Sequence, residues 1–193
     1  MIWFTSDTHF GAQRTLELSR RPFSSVDKMD DYMITKWNEC VRDTDKVYHL
    51  GDFGNADIIH RLNGKIILIQ GNYEADNKDG CLDDLKEVAE EVGPDKLVIE
   101  NKIGYQFILG TNKFHDMSWH YKKVLLTHKP EDCIKDDPDM FNLFGHIHEK
   151  CMIKPYGLNV GVDCHYFKPL NFEDIAFYLN AFDKGFYDNN VFE

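Results

Sequence analysis

Eight short apolar segments recur along this chain, and turns or helical patterns separate them. Each is five to seven residues long and rich in β-branched or aromatic residues, which is typical of β-strands. The predicted strands cover residues 1–6, 46–51, 65–71, 96–100, 104–110, 123–128, 141–146 and 157–163. Strands alternate with helices in the first half and dominate the second half. This pattern predicts one α/β domain over residues 1–193, with two packed sheets and helices outside them.

The helical segments are recognised by their apolar spacing. Residues 26–41 carry apolar side chains at steps of three and four, including Met29, Met33 and Trp37. A second predicted helix covers residues 82–92 and ends at a Gly-Pro pair, which stops helices. A weaker helical pattern follows Asn171.

Five of the predicted strands end in aspartate, asparagine or histidine. In chain order these residues are Asp7 with His9, Asp52, Asn72, His128, and His146 with His148. Each residue alone is weak evidence, because such side chains are common turn formers. Together they matter, since ligands of α/β sheets gather beyond the carboxyl ends of strands. Their mixed nitrogen and oxygen donors suffice for two divalent ions that share a carboxylate, and they suit Mn, Fe, Zn, Co or Ni better than Ca or Mg.

The spacing within two of these groups gives a further expectation. Asp7 and His9 are two residues apart, as are His146 and His148. Side chains two apart in extended backbone point to the same side. We therefore expect each pair to face one point from an extended segment.

Composition limits the function classes. The formal net charge of −11 argues against non-specific nucleic-acid binding, which relies on a cationic surface. Five cysteines, an odd number without a C-x-x-C pair, favour a reducing environment. No segment reads as a membrane span or a signal peptide. We expect a cytoplasmic protein that does not contact membranes.

The order D-x-H, G-D, G-N, H and G-H-x-H resembles that of the calcineurin-like metallophosphoesterase superfamily. The match begins with TSDTHFG at residues 5–11 and extends to His148. Further likeness to the small bacterial and phage-borne members lies in RPF at residues 21–23, VYHLGDF at residues 47–53 and NVGVDCHYFKPLNFEDI at residues 159–175. The resemblance implies a four-layer αββα sandwich, with two mixed sheets flanked by helices and two metals at one edge.

The resemblance also assigns roles to individual residues. Asp7, His9 and His148 would bind one metal. Asn72, His128 and His146 would bind the other. Asp52 would bridge both ions, which activate a water molecule for attack on phosphorus. Manganese is the expected metal, with Fe, Zn, Ni and Co as alternatives.

Tyr73 is the departure from the family pattern. The residue after the motif asparagine is usually a histidine that protonates the leaving group, so Asn72 and Tyr73 are the expected catalytic pair here. Tyrosine hydroxyls have a pKa of about 10 and are weaker acids near neutral pH. Tyr73 could donate a weaker hydrogen bond, or His115, His120 or His165 could replace it. A third reading has no general acid, which limits the enzyme to good leaving groups.

The substrate expectation follows from that departure. We expect hydrolysis of aryl or cyclic-nucleotide phosphodiesters and weaker activity on alkyl monoesters. A nucleic-acid end is another candidate substrate, and Arg21 is a candidate for contact with a substrate phosphate. The rival reading is a metal-binding pseudoenzyme that serves as a protein-binding scaffold, as the retromer subunit built on this fold does. The sequence leaves the oligomeric state open.

Overall fold

The computed structural model describes residues 1–100, 106–112 and 119–186. Its first sheet has the order β10-β1-β2-β3-β4, and its second has the order β5-β6-β7-β9-β8. The strands are β1 (Ile2–Thr5), β2 (Lys46–His49), β3 (Lys65–Ile69), β4 (Leu97–Glu100), β5 (Gln106–Asn112), β6 (Trp119–Leu126), β7 (Met140–Phe144), β8 (Ile153–Lys154), β9 (Gly157–Asn159) and β10 (Leu170–Asn171). All eight predicted strands overlap an observed one.

Both sheets are mixed. In the first, β1 to β4 run parallel and β10 is antiparallel to β1. In the second, β6, β7 and β9 run parallel, while β5 and β8 are antiparallel edge strands. Parallel strands end at the same edge of a sheet, so the residues that follow β1, β2 and β3 come together. The residues after β6 and β7 meet in the same way.

The helices flank the sheets as predicted. They are α1 (Gln13–Leu18), α2 (Val26–Cys40), α3 (Asn72–Ala75), α4 (Cys81–Val92) and α5 (Phe172–Asp183). Ser25 begins α2 by accepting a hydrogen bond from Lys28 N, and Asn171 begins α5 in the same manner. The two short helices α1 and α3 escaped prediction because each has too few turns for an apolar repeat. No described helix is long and apolar enough to span a bilayer.

Two apolar clusters hold these layers together. The first joins one face of β1–β4 to α2 and α4, with Met33, Trp37 and Leu85 buried against Ile66. The second lies between the sheets, where Phe4 and Ile67 meet Phe141 and Leu143, and α5 adds Leu179. Alternate residues of β1 and β3 thus serve opposite faces of one sheet, as strand geometry requires. The predicted pair of mixed sheets with flanking helices is confirmed.

The two sheets also meet directly at one edge. Beyond β1, Ser6 pairs in a parallel bridge with Gly161, which follows β9 of the other sheet. The Ser6 hydroxyl donates to the Leu50 carbonyl, and the Val162 amide donates to the Ser6 carbonyl. These contacts bring the carboxyl ends of both sheets to one place.

Candidate metal centre

The first group of potential ligands is Asp7, His9 and His148. Each offers one ligand atom, and these atoms lie within 4.8 Å of one another. The Asp7 carboxylate accepts the His146 amide at 2.9 and 3.1 Å, so its orientation is fixed. His9 Nε2 is fully buried and has no hydrogen-bond partner among the described residues. A buried polar atom without a partner is costly, and a bound cation would satisfy it.

The second group is Asp52, His128 and His146, again within 4.8 Å. His128 Nδ1 lies 2.7 Å from the Leu50 carbonyl, which only accepts, so Nδ1 carries the ring proton. In the neutral ring, Nε2 then presents a lone pair to Asn72 Oδ1 at 3.0 Å and to Asp52 Oδ2 at 3.5 Å. Three acceptors facing one another repel unless a cation or a proton lies among them. The donor set therefore fits a metal ion.

Asp52 belongs to the second group but also lies close to His9 of the first. Its Oδ2 is 3.5 Å from His9 Nε2 and also 3.5 Å from His128 Nε2. Its Oδ1 accepts the Tyr73 amide at 2.9 Å. One carboxylate oxygen is thus equidistant from a nitrogen of each group, the position that a bridging ligand requires.

Burial controls the protonation of this centre. Burial lowers the pKa of His9 well below its usual value, and it also lowers that of His146. Both rings are therefore held neutral, which is the form that binds metal. Burial raises the pKa of Asp7, and this effect outweighs the lowering by the nearby His128 and His148 rings.

The backbone at these residues differs from the sequence-based expectation. Positive φ angles occur at Asp7 (57°), His9 (47°), Asp52 (57°), His146 (72°) and His148 (50°). The two pairs therefore do not sit in extended segments, and His146 and His148 belong to different ligand groups. The extended backbone expected for both pairs is therefore wrong. The prediction that a pair faces one point is confirmed for Asp7 and His9, whose ligand atoms lie within 4.8 Å of one another, and is wrong for His146 and His148. Left-handed backbone at non-glycine residues is strained and clusters at functional sites.

Glycines allow the loops to approach the carboxylates. A Cβ at Gly71 would lie 2.4 Å from Asp52 Oδ1, and one at Gly145 would lie 2.3 Å from Asp7 Oδ2. Gly71 has a negative φ of −87°, so any residue could make its turn. Its smallness, rather than its conformational freedom, is what the site requires.

Glu74 organises the loop that carries Asp52. It is fully buried, and its carboxylate accepts three backbone hydrogen bonds, from Asp52 N (2.9 Å), Phe53 N (2.8 Å) and Gly71 N (2.8 Å). The short helix α3 thus ties the end of β2 to the end of β3.

Arg21 is buried behind the site rather than facing it. Its Nε and Nη2 bind both oxygens of Asp163 at 2.7 and 2.9 Å. Nη1 donates to the Thr8 carbonyl and Nη2 to the Asp7 carbonyl. The guanidinium is therefore fully engaged, and the expectation that it contacts substrate is corrected.

Asp163, which sequence reasoning missed, connects Arg21 to His148. Its Oδ2 lies 2.9 Å from His148 Nδ1, which leaves Nε2 of that ring free to bind metal. Burial would lower the pKa of His148, but the hydrogen bond that its Nδ1–H donates to Asp163 raises it above its usual value. The only sequence signal was its place in the family-like stretch at residues 159–175.

Tyr73 lies beside these groups in an open cleft of about 420 Å³. Its ring packs edge-on against His9, with ring centroids 4.9 Å apart. Its hydroxyl oxygen accepts a hydrogen bond from Arg14 Nη1 at 3.0 Å. His165, one of the alternative proton donors, is buried against the Asn159 carbonyl at 2.6 Å and does not line this cleft. His115 and the side chain of His120 lie outside the described residues.

Comparison with protein families decides the classification. The model of the calcineurin-like phosphoesterase superfamily domain matches residues 1–162. The chain belongs to the calcineurin-like phosphoesterase superfamily. This family is typically dependent on a dinuclear metal centre, and the structure has two groups of residues that could each hold a metal ion.

Two proteins without an assigned function are similar to this chain over most of their own length. An uncharacterised protein of Methanocaldococcus jannaschii, MJ1445, is 27% identical over 190 residues, covering 91% of this chain and 89% of its own. The crystal structure of a protein of unknown function from Aquifex aeolicus, AQ665, superposes with a TM-score of 0.61 at 24% identity, covering 92% of this chain and 98% of its own. The second likeness supports the fold alone.

Proposed function

We propose that this calcineurin-like protein is a dinuclear-metal-dependent phosphodiesterase. In this proposal Asp7, His9 and His148 hold one ion, Asn72, His128 and His146 hold the other, and Asp52 bridges them. The observation that supports it best is the single Asp52 oxygen 3.5 Å from both His9 Nε2 and His128 Nε2.

Two bound divalent cations would neutralise phosphoryl charge and acidify a water molecule. The protein itself would supply positioning, which accounts for much of phosphoryl-transfer catalysis. Asp7 is fixed by the His146 amide, and Asp52 is fixed by the Tyr73 amide. The Glu74 carboxylate secures the loop beneath Asp52, so the ligands are set before substrate arrives.

Protonation of the leaving group is the step in which this chain departs from its family. Among the described residues, every histidine that lines the cleft, namely His9, His146 and His148, is assigned to a metal. Tyr73 can offer a hydroxyl proton, because its oxygen already accepts from Arg14. A neutral phenol is a poor general acid, so aryl and cyclic phosphodiesters with good leaving groups are the preferred substrates, and alkyl monoesters are poor ones.

A panel of three substrates tests this proposal on the manganese-loaded protein. Bis-p-nitrophenyl phosphate and a 2′,3′-cyclic nucleotide should be hydrolysed with higher kcat/KM than an alkyl phosphomonoester. Equal or faster hydrolysis of the alkyl monoester would refute the stated preference. The same panel with Fe, Zn, Ni and Co would identify the metal that best supports turnover.

Tyr73→His should restore a stronger proton donor. We expect kcat on the alkyl monoester to rise by about 10²-fold, the lower end of general-acid effects, with a smaller change on bis-p-nitrophenyl phosphate. Tyr121→His, at a position on β6, serves as a matched control. An unchanged ratio between the two substrates would show that another group protonates the leaving oxygen.

Asp163→Asn should weaken the site that includes His148. Loss of the charged partner of His148 Nδ1 is expected to lower manganese affinity by about 10–100-fold. Isothermal titration calorimetry measures this change directly. Thermal unfolding measures any loss of stability that follows because the buried Arg21 has lost its charged partner. Asp95→Asn, at an exposed position, is the control. Wild-type affinity in the Asp163 variant would exclude the positioning role.

The scaffold alternative makes the opposite prediction about turnover. A metal-binding pseudoenzyme would show no turnover with manganese bound, and a site without metal at saturating manganese would also favour a scaffold. We also propose a cytoplasmic location, in keeping with five free cysteines that form no disulfide in the described chain.

A further inference from the structure

Basic side chains converge on Tyr73 at the rim of the metal cleft. Arg14 Nη1 donates to the Tyr73 hydroxyl at 3.0 Å, and Lys78 Nζ lies 4.3 Å from the centre of the Tyr73 ring. Lys150 lines the same cleft. One tyrosine thus holds two cations, one through its hydroxyl and one through its ring face.

These cations are only weakly neutralised by the protein. Glu17, the nearest carboxylate along α1, is engaged by Gln13 Nε2 at 2.7 Å. No carboxylate of the described residues forms an ion pair with Arg14. Lys78 has a single exposed ion pair, at 3.9 Å to Asp76, a type that contributes little.

The local charge contrasts with that of the whole chain. Apart from the proposed metal ligands, the described residues that line the cleft carry three cations, Arg14, Lys78 and Lys150, and one anion, Glu149. The chain as a whole has a net charge of −11. An acidic protein that keeps a cationic rim at one cleft attracts anions to that cleft.

We propose that Arg14 and Lys78, held by Tyr73, form a subsite for a second phosphate group of the substrate. This inference rests on the proposed function, because the first phosphate would occupy the metal centre. The preferred substrates are then phosphodiesters that carry an additional phosphate near the scissile one, such as phosphorylated nucleotides or phosphorylated ends of short oligonucleotides. Tyr73 positions Arg14 through its hydroxyl and Lys78 through its ring, which gives a reason for tyrosine at this position.

Binding of simple nucleotides tests the subsite without turnover. Calorimetric titration of the manganese-loaded protein should give about tenfold tighter binding of thymidine 3′,5′-bisphosphate than of thymidine 5′- or 3′-monophosphate, as expected for partly exposed cation–phosphate contacts. Either phosphate of the bisphosphate can enter either position. Arg14→Gln and Lys78→Gln should each reduce this preference, and raised salt should weaken it.

Two exposed residues that do not line the cleft provide matched controls. Arg61→Gln removes an exposed arginine that pairs with Asp31, and Lys86→Gln removes an exposed lysine of α4, so both should keep the preference. Equal binding of bisphosphate and monophosphates, or an undiminished preference in both rim variants, would overturn the proposal. Hydrolysis of bis-p-nitrophenyl phosphate is measured in parallel. Turnover without a bisphosphate preference would reject the subsite alone, and the preference without turnover would reject only the proposed function.

Discussion

Asp52→Asn is expected to reduce phosphodiester hydrolysis by more than about 100-fold, which exceeds the 10–100-fold typical for residues that merely orient a ligand. The carboxylate is buried, and one of its oxygens is 3.5 Å from a nitrogen of each histidine group. The amide has the same shape but lacks the charge that two cations would share. Its oxygen can still accept the Tyr73 amide, so the fold should survive.

The measurements for Asp52→Asn are kcat on bis-p-nitrophenyl phosphate and manganese content by mass spectrometry. Asp57→Asn makes the same chemical change at an exposed position five residues away and should retain full activity. The bridging assignment fails if the Asp52 variant keeps two manganese ions and near wild-type kcat.

Glu74→Ala is expected to give the largest loss of stability, about 3–9 kcal/mol. The estimate takes about 1–3 kcal/mol for each of the buried N–H groups of Asp52, Phe53 and Gly71 that would lose its acceptor. Such a loss is a large fraction of the typical 5–15 kcal/mol stability of a domain. Glu74→Gln should cost less, because its remaining oxygen can still accept two of the three bonds.

Chemical denaturation of metal-free protein measures the Glu74 effect separately from metal binding. Glu87→Gln, on the exposed side of α4, should leave the unfolding midpoint unchanged. The milder Glu74→Gln variant provides the comparison if the alanine variant does not accumulate as folded protein. Unfolding midpoints of wild type and Glu74→Gln that coincide would contradict the role of this carboxylate in organising the loop.

The strands and the strand-end residues could be predicted because both depend on local sequence. Apolar runs such as that of β3 specify buried strands whatever lies around them, and parallel strands necessarily bring their ends together. The family-like order of motifs then connects Asp7, Asp52 and His128 as ligands of one site. The periodicity of Met29, Met33 and Trp37 predicted α2 to within a residue at its end.

The remaining features depend on contacts between distant segments. Asp163 orients His148 and binds Arg21, which is 142 residues away in the chain. Arg21 resembled an exposed phosphate-binding residue because sequence alone does not show its burial. The left-handed backbone of His146 and His148 follows from tertiary packing that overrides the extended conformation expected there. The position of Arg14 against Tyr73 likewise depends on α1, a helix that is too short to be predicted from apolar periodicity.

The most direct measurement is the rate of bis-p-nitrophenyl phosphate hydrolysis as manganese is titrated into metal-free protein. A dinuclear phosphodiesterase should be inactive without metal, and its rate should rise to a plateau at two equivalents of manganese per chain. Absence of turnover at saturating manganese, or full activity in metal-free protein, would contradict the account.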